Sequence, residues 1–449
     1  MTTYLTSYDP SNGEPIGSVP VSTGEQITEA IVAAHIAAKA WQRLKIDERV
    51  KVLESAYAKL LPETDRLAEL LSREMGKDIR RATGELGWVA RGGPHSAQSA
   101  GEALQSRKLG DCTRLEYHPL GVVAVISPWN YPLAMAGNLI VPALVAGNGV
   151  VFKPSEETPL IAREFVALLN QVLPPDLLQI IHGDGEQGKA LVEGNVNMIA
   201  FTGSQAVGRE IMARAASRLK RLVMELGGND PMIVMRDADI ERAARFAVAS
   251  SFENAGQMCI STERIYVDET IAERFENRVA ELAASYRVGP WNMAGVNIGP
   301  IINAEQHRKI VGHIRDAEAK GARVLLGGSE QPQRYIHPTV ICDMTPDMLL
   351  EQEETFGPVV AISRYADIGE AIQRANASDY GLGAVVFGGT EAEAVADRLE
   401  AGMIGINQGV GGSGDAPWVG AKQSGFGFHG SPDGHRQFAQ VRVVSCSSA

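Results

Sequence analysis

From Thr113 onward the chain alternates short β-branched runs with longer helical stretches, and the change-overs carry glycine, proline or a helix-capping residue. Arg114 to His118 and Val122 to Ile126 read as strands on either side of the turn Pro119-Leu120-Gly121. Val150 to Phe152 precedes a helix from about Thr158 to Val172. Ile180-Ile181 precedes one beginning near Glu186, Met198 to Phe201 precedes one from about Ser204, and Leu222 to Glu225 closes the series. A parallel sheet covered by helices satisfies such a pattern.

A second series starts at Met232-Ile233-Val234. It continues through a helix from Asp239 to Asn254, a strand over Ile265 to Val267 and helices over 270–285 and 304–320. Strands are expected at Val324 to Leu326, Thr339 to Ile341, Val359 to Ser363, Val385 to Phe387 and Ile404 to Ile406. The reading is therefore two α/β units that meet near residue 228, which the 449 residues can supply. The first 105 residues read mostly as helix. Ile27, Ile31, Ala34, Ala38 and Trp41 share one face, Asp47 caps a helix running to Leu61, Pro62 begins another that stops near Gly76, and Asp78 starts the next. After Gly409 the chain is glycine-rich and ends in a strand, Val441 to Ser445, which if unpaired is an oligomer contact.

Composition removes several classes of function. Net charge is -12 with no basic stripe, which argues against nucleic acid and anionic membrane as partners. The start, Met1-Thr2-Thr3-Tyr4, has no basic segment or apolar core, so no secretory signal is expected. The longest apolar stretch, Leu139 to Phe152, is broken by Pro142, Gly147 and Gly149 and is too short to span a bilayer. Cys112, Cys259, Cys342 and Cys446 are far apart in the chain and form no pair or metal-ligand spacing. Free thiols, a reducing cytoplasm and no bound metal are expected.

The chemistry centres on Ser251-Phe252-Glu253-Asn254-Ala255-Gly256-Gln257-Met258-Cys259-Ile260-Ser261. A loop between a helix and a strand can hold a sulfur still and facing a cleft. A free thiol has a pKa of about 8.5, so a catalytic cysteine needs help from its surroundings, and a lone cysteine is more commonly a buried small hydrophobe. Four other clusters stand at strand ends. In Ser127-Pro128-Trp129-Asn130-Tyr131-Pro132, Asn130 offers an amide to an oxyanion or is an ordinary turn residue. In Lys153-Pro154-Ser155-Glu156, Lys153 and Glu156 bind vicinal ribose hydroxyls or form a solvated turn. Phe201-Thr202-Gly203-Ser204-Gln205-Ala206-Val207-Gly208 opens a helix whose N-terminus favours a phosphate, although its spacing is not Gly-x-Gly-x-x-Gly. In Glu225-Leu226-Gly227-Gly228 the carboxylate is a general base or a surface strand end.

Taken in this order, these residues resemble the aldehyde dehydrogenase superfamily, with Glu353-Glu354-Thr355-Phe356-Gly357-Pro358 as a further matching segment. The resemblance covers nearly the whole chain. It implies an α/β fold with two doubly wound parallel-sheet domains and a small β-strand oligomerisation arm. The NAD-binding domain is expected over 1–105 and 120–227, the catalytic domain over 228–429, and bridging strands over 106–119 and 430–449.

By the same resemblance Cys259 attacks the aldehyde, Asn130 holds the oxyanion and Glu225 activates water against the thioester. Ser127, Trp129, Lys153, Ser155, Glu156, Thr202, Gly203, Ser204, Gly208, Leu226, Gly227, Glu354 and Phe356 bind the cofactor, which is NAD rather than NADP because Glu156 accepts from the ribose hydroxyls. A cytoplasmic homodimer or homotetramer is implied. The presence of Glu225 argues against a CoA-acylating enzyme, Cys259 and Glu225 together against a non-catalytic relative, and the Glu156 and Glu354 clusters against a cofactor-free thiol hydrolase. One departure stands out. The family's Gly-x-Lys-x-Ser-Gly-x-Gly-Arg-Glu reads here Gly420-Ala421-Lys422-Gln423-Ser424-Gly425-Phe426-Gly427-Phe428-His429. Losing that Arg weakens the case for a short acidic substrate, and His429 stands where a proton-relaying Glu is usual. Trp88, Tyr131 and Trp418 are expected to line the substrate side, together with the stretch Gly409 to Trp418.

Overall fold

A six-stranded sheet runs in the order Gly425–Phe426, Arg221–Leu226, Met198–Gly203, Val122–Ile126, Gly149–Lys153, Leu178–Ile180. All neighbours are parallel except Gly425–Phe426, which pairs antiparallel with Arg221–Leu226. The chain fills one side of Val122–Ile126 and then returns to fill the other. A crevice therefore opens at the strand C-termini where the direction reverses, the usual ligand position in such sheets. Val122–Ile126 and Gly149–Lys153 are buried throughout, as expected for strands covered by helices on both faces. The computed structural model describes residues 2–411 and 416–446.

A seven-stranded sheet follows, in the order Arg323–Leu326, Thr339–Cys342, Val359–Tyr365, Thr262–Asp268, Asp230–Val234, Gly383–Phe387, Met403–Ile406. Only Arg323–Leu326, at one edge, is antiparallel to its neighbour. Each sheet has its own apolar core, one centred on Val123, Phe152 and Phe165, the other on Val267, Phe275 and Ile362. The short strand Gly425–Phe426 crosses back to the first sheet, and the Ser424 hydroxyl donates to the Gly227 carbonyl at 2.7 Å.

Several expectations need correction. The N-terminal segment begins with a hairpin, Tyr4–Tyr8 against Pro15–Pro20, before its first helix. Asp47 is not a cap. The second helix is Ile46–Tyr57, so Asp47 lies in its first turn, and a 3-10 segment, Ala58–Glu63, leads into Thr64–Met75. Asp78 does cap the next helix, Ile79–Ala103, accepting from the N–H groups of Arg80 and Arg81. The apolar stretch from Leu139 divides between the helix Pro132–Val145, which the sequence reading lacked, and the strand Gly149–Lys153. No helix among the described residues is long and apolar enough to cross a membrane.

The terminal strand, Ala439–Ser445, is not unpaired. It lies antiparallel to Thr113–Pro119, which also pairs with Arg107–Lys108. The register extends one step further, because the Cys446 N–H donates to the Cys112 carbonyl at 2.9 Å. Two cysteines distant in sequence are thus cross-strand neighbours. Met1, 447–449 and 412–415 of the Gly409–Trp418 stretch lie outside the described residues.

Candidate active site

The helix Ile240–Phe252 ends in a single 3-10 turn, Glu253–Gly256. Asn254, Ala255 and Gly256 all have positive φ, at 53°, 61° and 72°. Non-glycine residues in that region cost free energy and mark sites where the surroundings dictate the backbone. Gly256 has no alternative, since a Cβ there would lie 2.1 Å from the Gly357 carbonyl oxygen. Gln257 then pins the turn. Its amide donates to the Asn254 carbonyl at 3.1 Å, and its Oε1 accepts from the Ile302 N–H at 2.9 Å. Cys259 follows, partly exposed to a cavity of about 630 Å³, a size that suits small-molecule sites.

The Cys259 thiol is pushed well above its ordinary pKa. Burial is the first cause, and the charges of Glu225, Asp230 and Glu354 act in the same direction. The thiol is therefore neutral at rest. Glu225, at the end of Arg221–Leu226, is raised to about 7 by burial and also accepts from the Trp418 indole N–H at 3.3 Å. A carboxylate near 7 next to a neutral thiol is poised to remove its proton.

Asn130 faces the same cavity, and one of its amide N–H groups donates to the Gln257 carbonyl at 3.1 Å. Its own carbonyl is held by Lys77, whose Nζ donates at 2.7 Å and also pairs with Glu85 at 2.6 Å. The Lys77 and Glu85 side chains are 0% and 1% exposed. Burial lowers the Lys77 pKa, and its ammonium lies 3.8 Å from the centre of the Tyr131 ring. Glu85 accepts from the N–H groups of Leu133 and Ala134, so it caps the helix that starts just after Asn130.

The opposite wall carries Glu354 and Phe356. The Gly228 N–H donates to Glu354 at 3.0 Å. The Glu263 carboxylate accepts from the N–H groups of Thr355 and Phe356 at 2.6 and 2.7 Å, and Gln306 donates to the carbonyls of the same two residues. Burial raises the pKa of both Glu263 and Glu354. Phe356 sits at φ 56° with its ring edge-on to Trp129, centroids 5.6 Å apart.

Trp129, Asn130, Thr202, Gly203, Ser204, Glu225, Leu226, Gly227, Cys259, Glu354 and Phe356 line one cavity, as do Trp88, Tyr131 and Trp418. Ser127, Lys153, Ser155, Glu156 and Gly208 stand outside its lining. Lys153 and Glu156 lie 3.7 Å apart, and the Ser155 hydroxyl accepts from the Glu157 N–H. Gly208 lies against the strand end, where a Cβ would be 2.6 Å from a Leu226 methyl group. His429 does not take up a relay contact with Glu225. It is buried, lowered to about 4 and stacked on Trp418, with no partner at Nε2.

The residues fit a dinucleotide. The buried hydroxyls of Ser127 and Thr202 have no partner at their strand ends. Gly227 leaves a gap that a Cβ would close to 2.6 Å from the Glu354 carboxylate. Ser204 caps the helix Gln205–Ala216, whose N-terminal N–H groups suit a phosphate.

The sequence reading missed Lys77, Glu85, Glu263 and Gln306. Glu263 alone left a trace, as a charge inside the strand Thr262–Asp268.

The family model "Aldehyde dehydrogenase family" matches residues 2–444. The chain is 35% identical to a 3-sulfolactaldehyde dehydrogenase of Pseudomonas putida, over 97% of this chain and 92% of the relative. It is 36% identical to a putative succinate-semialdehyde dehydrogenase [NADP(+)] of Mycolicibacterium smegmatis, over 97% and 87%. The structure of an NAD-dependent aldehyde dehydrogenase from Sinorhizobium meliloti superposes with a TM-score of 0.95 at 31% identity, covering 99% of this chain and 91% of that one.

Proposed function

The chain belongs to the aldehyde dehydrogenase family, and from that premise we propose that Cys259, Glu225 and Asn130 oxidise an aldehyde to its carboxylic acid with a pyridine nucleotide. The observation that carries this reading is that Cys259, Glu225 and Asn130, brought from three separate elements, line one cavity.

Glu225 takes the thiol proton, and Sγ of Cys259 attacks the aldehyde carbon. The free N–H of the Asn130 amide and the backbone N–H of Cys259 hold the oxyanion. Ser127, Thr202, Ser204, Gly227, Glu354 and Phe356 hold the nucleotide, with Lys153 and Glu156 on its adenosine ribose. When bound, the nicotinamide supplies the hydride acceptor. Once Glu225 has lost the thiol proton to solvent, the acyl group left on Cys259 as a thioester is released by a water from which Glu225 takes a proton. A buried carboxylate with a pKa near 7 supports hydrolysis over transfer to CoA.

NAD is the preferred cofactor in this reading, on the strength of Glu156, although several relatives carry NADP in their names. Residues 1–105 and 120–227 bind the nucleotide, 228–429 carry the catalytic cysteine, and 106–119 with 430–449 join subunits of a homodimer or homotetramer. The edge strand Ala439–Ser445 supports that last role, since Val441 and Val443 are 47% and 62% exposed. A cytoplasmic setting is supported by the free thiols. The names of the relatives favour a second reading, a carboxylated or sulfonated aldehyde.

The test is a pair of variants. Cys259→Ala should abolish nucleotide reduction while nucleotide binding persists. Glu225→Gln removes the base from both the attack and the hydrolysis, so nucleotide reduction should slow by roughly 10²–10⁴ without a burst. Normal turnover in the first variant would sink the mechanism.

A further inference from the structure

We propose that the aldehyde accepted here is uncharged and apolar, of aromatic or medium aliphatic size, and that anionic aldehydes are its poor substrates. This rests on the dehydrogenase reading above and concerns the substrate end of the same site.

That end is walled by Trp88, Tyr131, Met135, Met258 and Trp418. Past Trp88 and Asn138 it meets a second, mixed hollow of about 240 Å³, where Tyr57, Val89 and Val141 stand beside His95, Ser99 and His435. Apolar surface at this depth favours a ligand with apolar surface to bury.

The electrostatics point the same way. Among the described lining residues of the main cavity, Arg81 and Lys309 are the only Lys or Arg side chains. Arg81 is fully engaged. Its Nε and Nη2 donate to the two oxygens of Glu253 at 2.8 and 2.9 Å, and its Nη1 donates to Asp78 and to the Asn297 carbonyl. The Tyr131 hydroxyl donates to Glu253 as well, at 3.1 Å. Lys77, behind this wall, is taken by Glu85 and the Asn130 carbonyl. Three cations, Lys77, Arg80 and Arg81, thus stand among three carboxylates, Asp78, Glu85 and Glu253.

A substrate carboxylate or sulfonate would approach a wall whose cations are each already paired with a carboxylate. It could reach Arg81 only by breaking a two-pronged pair with Glu253. Lys309 stands with Gln306 and Phe356 on the other wall, where its charge acts on Glu354. The second hollow contains no Lys or Arg among its described lining residues.

The experiment measures kcat/KM for benzaldehyde, hexanal and succinate semialdehyde with saturating NAD and, separately, NADP, by absorbance of the reduced nucleotide. Benzaldehyde and hexanal should exceed succinate semialdehyde by on the order of tenfold or more, mostly through KM. An equal or better efficiency with succinate semialdehyde overturns the proposal and leaves the dehydrogenase reading intact. No nucleotide reduction with any of the three overturns both. Two variants read the cause. Glu253→Gln releases Nε and Nη2 of Arg81 from a charged partner while Nη1 keeps Asp78, and Trp88→Arg adds a cation at a position that is already exposed. Each should raise the ratio of succinate semialdehyde to benzaldehyde efficiency by roughly tenfold. A ratio unmoved in both would show that wall charge does not select the substrate.

Discussion

The indole N–H of Trp418 donates to the Glu225 carboxylate at 3.3 Å, and the same ring stacks on His429 with centroids 6.5 Å apart. Trp418 is thus both a wall of the substrate site and a regulator of its base. The donated hydrogen bond lowers the pKa of Glu225, while burial, the larger effect, raises it to about 7.

The pH dependence follows from that balance. Turnover that requires the Glu225 carboxylate should rise with pH through about 7. Trp418→Phe keeps an aromatic wall but removes the donor. The anion loses a stabilising contact, so the pKa goes up and the midpoint of the rise moves to higher pH. A hydrogen bond worth about 1 kcal/mol predicts a displacement of roughly half a unit to one unit. The measurement is the pH profile of steady-state kcat for both proteins. A midpoint that stays put would show that Trp418 does not tune Glu225.

Cofactor choice turns on a second pair. The Lys153 ammonium is almost wholly buried, and its pKa is lowered chiefly by that burial. Glu156, 3.7 Å away, has its side chain 47% exposed. A carboxylate there accepts from the ribose 2′- and 3′-hydroxyls and repels a 2′-phosphate. NAD should be preferred by at least about tenfold in kcat/KM. Glu156→Ser removes the repulsion and leaves Lys153 free to meet a phosphate, so the ratio should narrow or reverse through the cofactor KM. A wild-type preference for NADP would refute the assignment, as would an unchanged ratio in the variant.

Cys112 and Cys446 make a third testable pair. The Sγ of Cys446 lies 3.5 Å from the Cys112 carbonyl oxygen. Directly opposed residues in antiparallel strands have Cα atoms about 4.5–5.5 Å apart, within the roughly 4.4–6.8 Å that a disulfide spans. Glutathione disulfide should therefore join them, two protein thiols losing their hydrogens as two molecules of glutathione form. In a Cys259→Ala background, thiol labelling and intact mass should show two fewer free thiols and no retained glutathione. Cys112→Ser should instead leave a mixed disulfide on Cys446. Retained glutathione without Cys112→Ser would mean that the two sulfurs do not meet.

The alternation after Thr113 was legible because a fully buried strand such as Val122–Ile126 must be apolar along its length, and its ends need glycine, proline or a cap. The N-terminal hairpin was not. Only Ser7 of Tyr4–Tyr8 and Val19 of Pro15–Pro20 are buried, so no apolar alternation announces a strand. Asp47 resembled a cap because acidic residues favour the whole first helical turn as well as the cap position.

The residues proposed to meet substrate or cofactor could be picked out in the chain because they sit at or beside places where the backbone changes direction, and such positions restrict residue type locally. Asn130, Gly203, Glu225 and Glu354 are of that kind. The groups that hold and charge the site were not readable. Lys77 finds the Asn130 carbonyl across 53 positions, Glu263 finds the Phe356 N–H across 93, and Arg81 finds Glu253 across 172. Hydrogen bonding and Coulomb energy depend on distance through space, and chain order does not contain that distance. The sequence therefore determined which groups can react. The packing of the two sheets decided which of the charges remain free to meet a substrate, because only there are Arg81 and Lys77 brought to the carboxylates that occupy them.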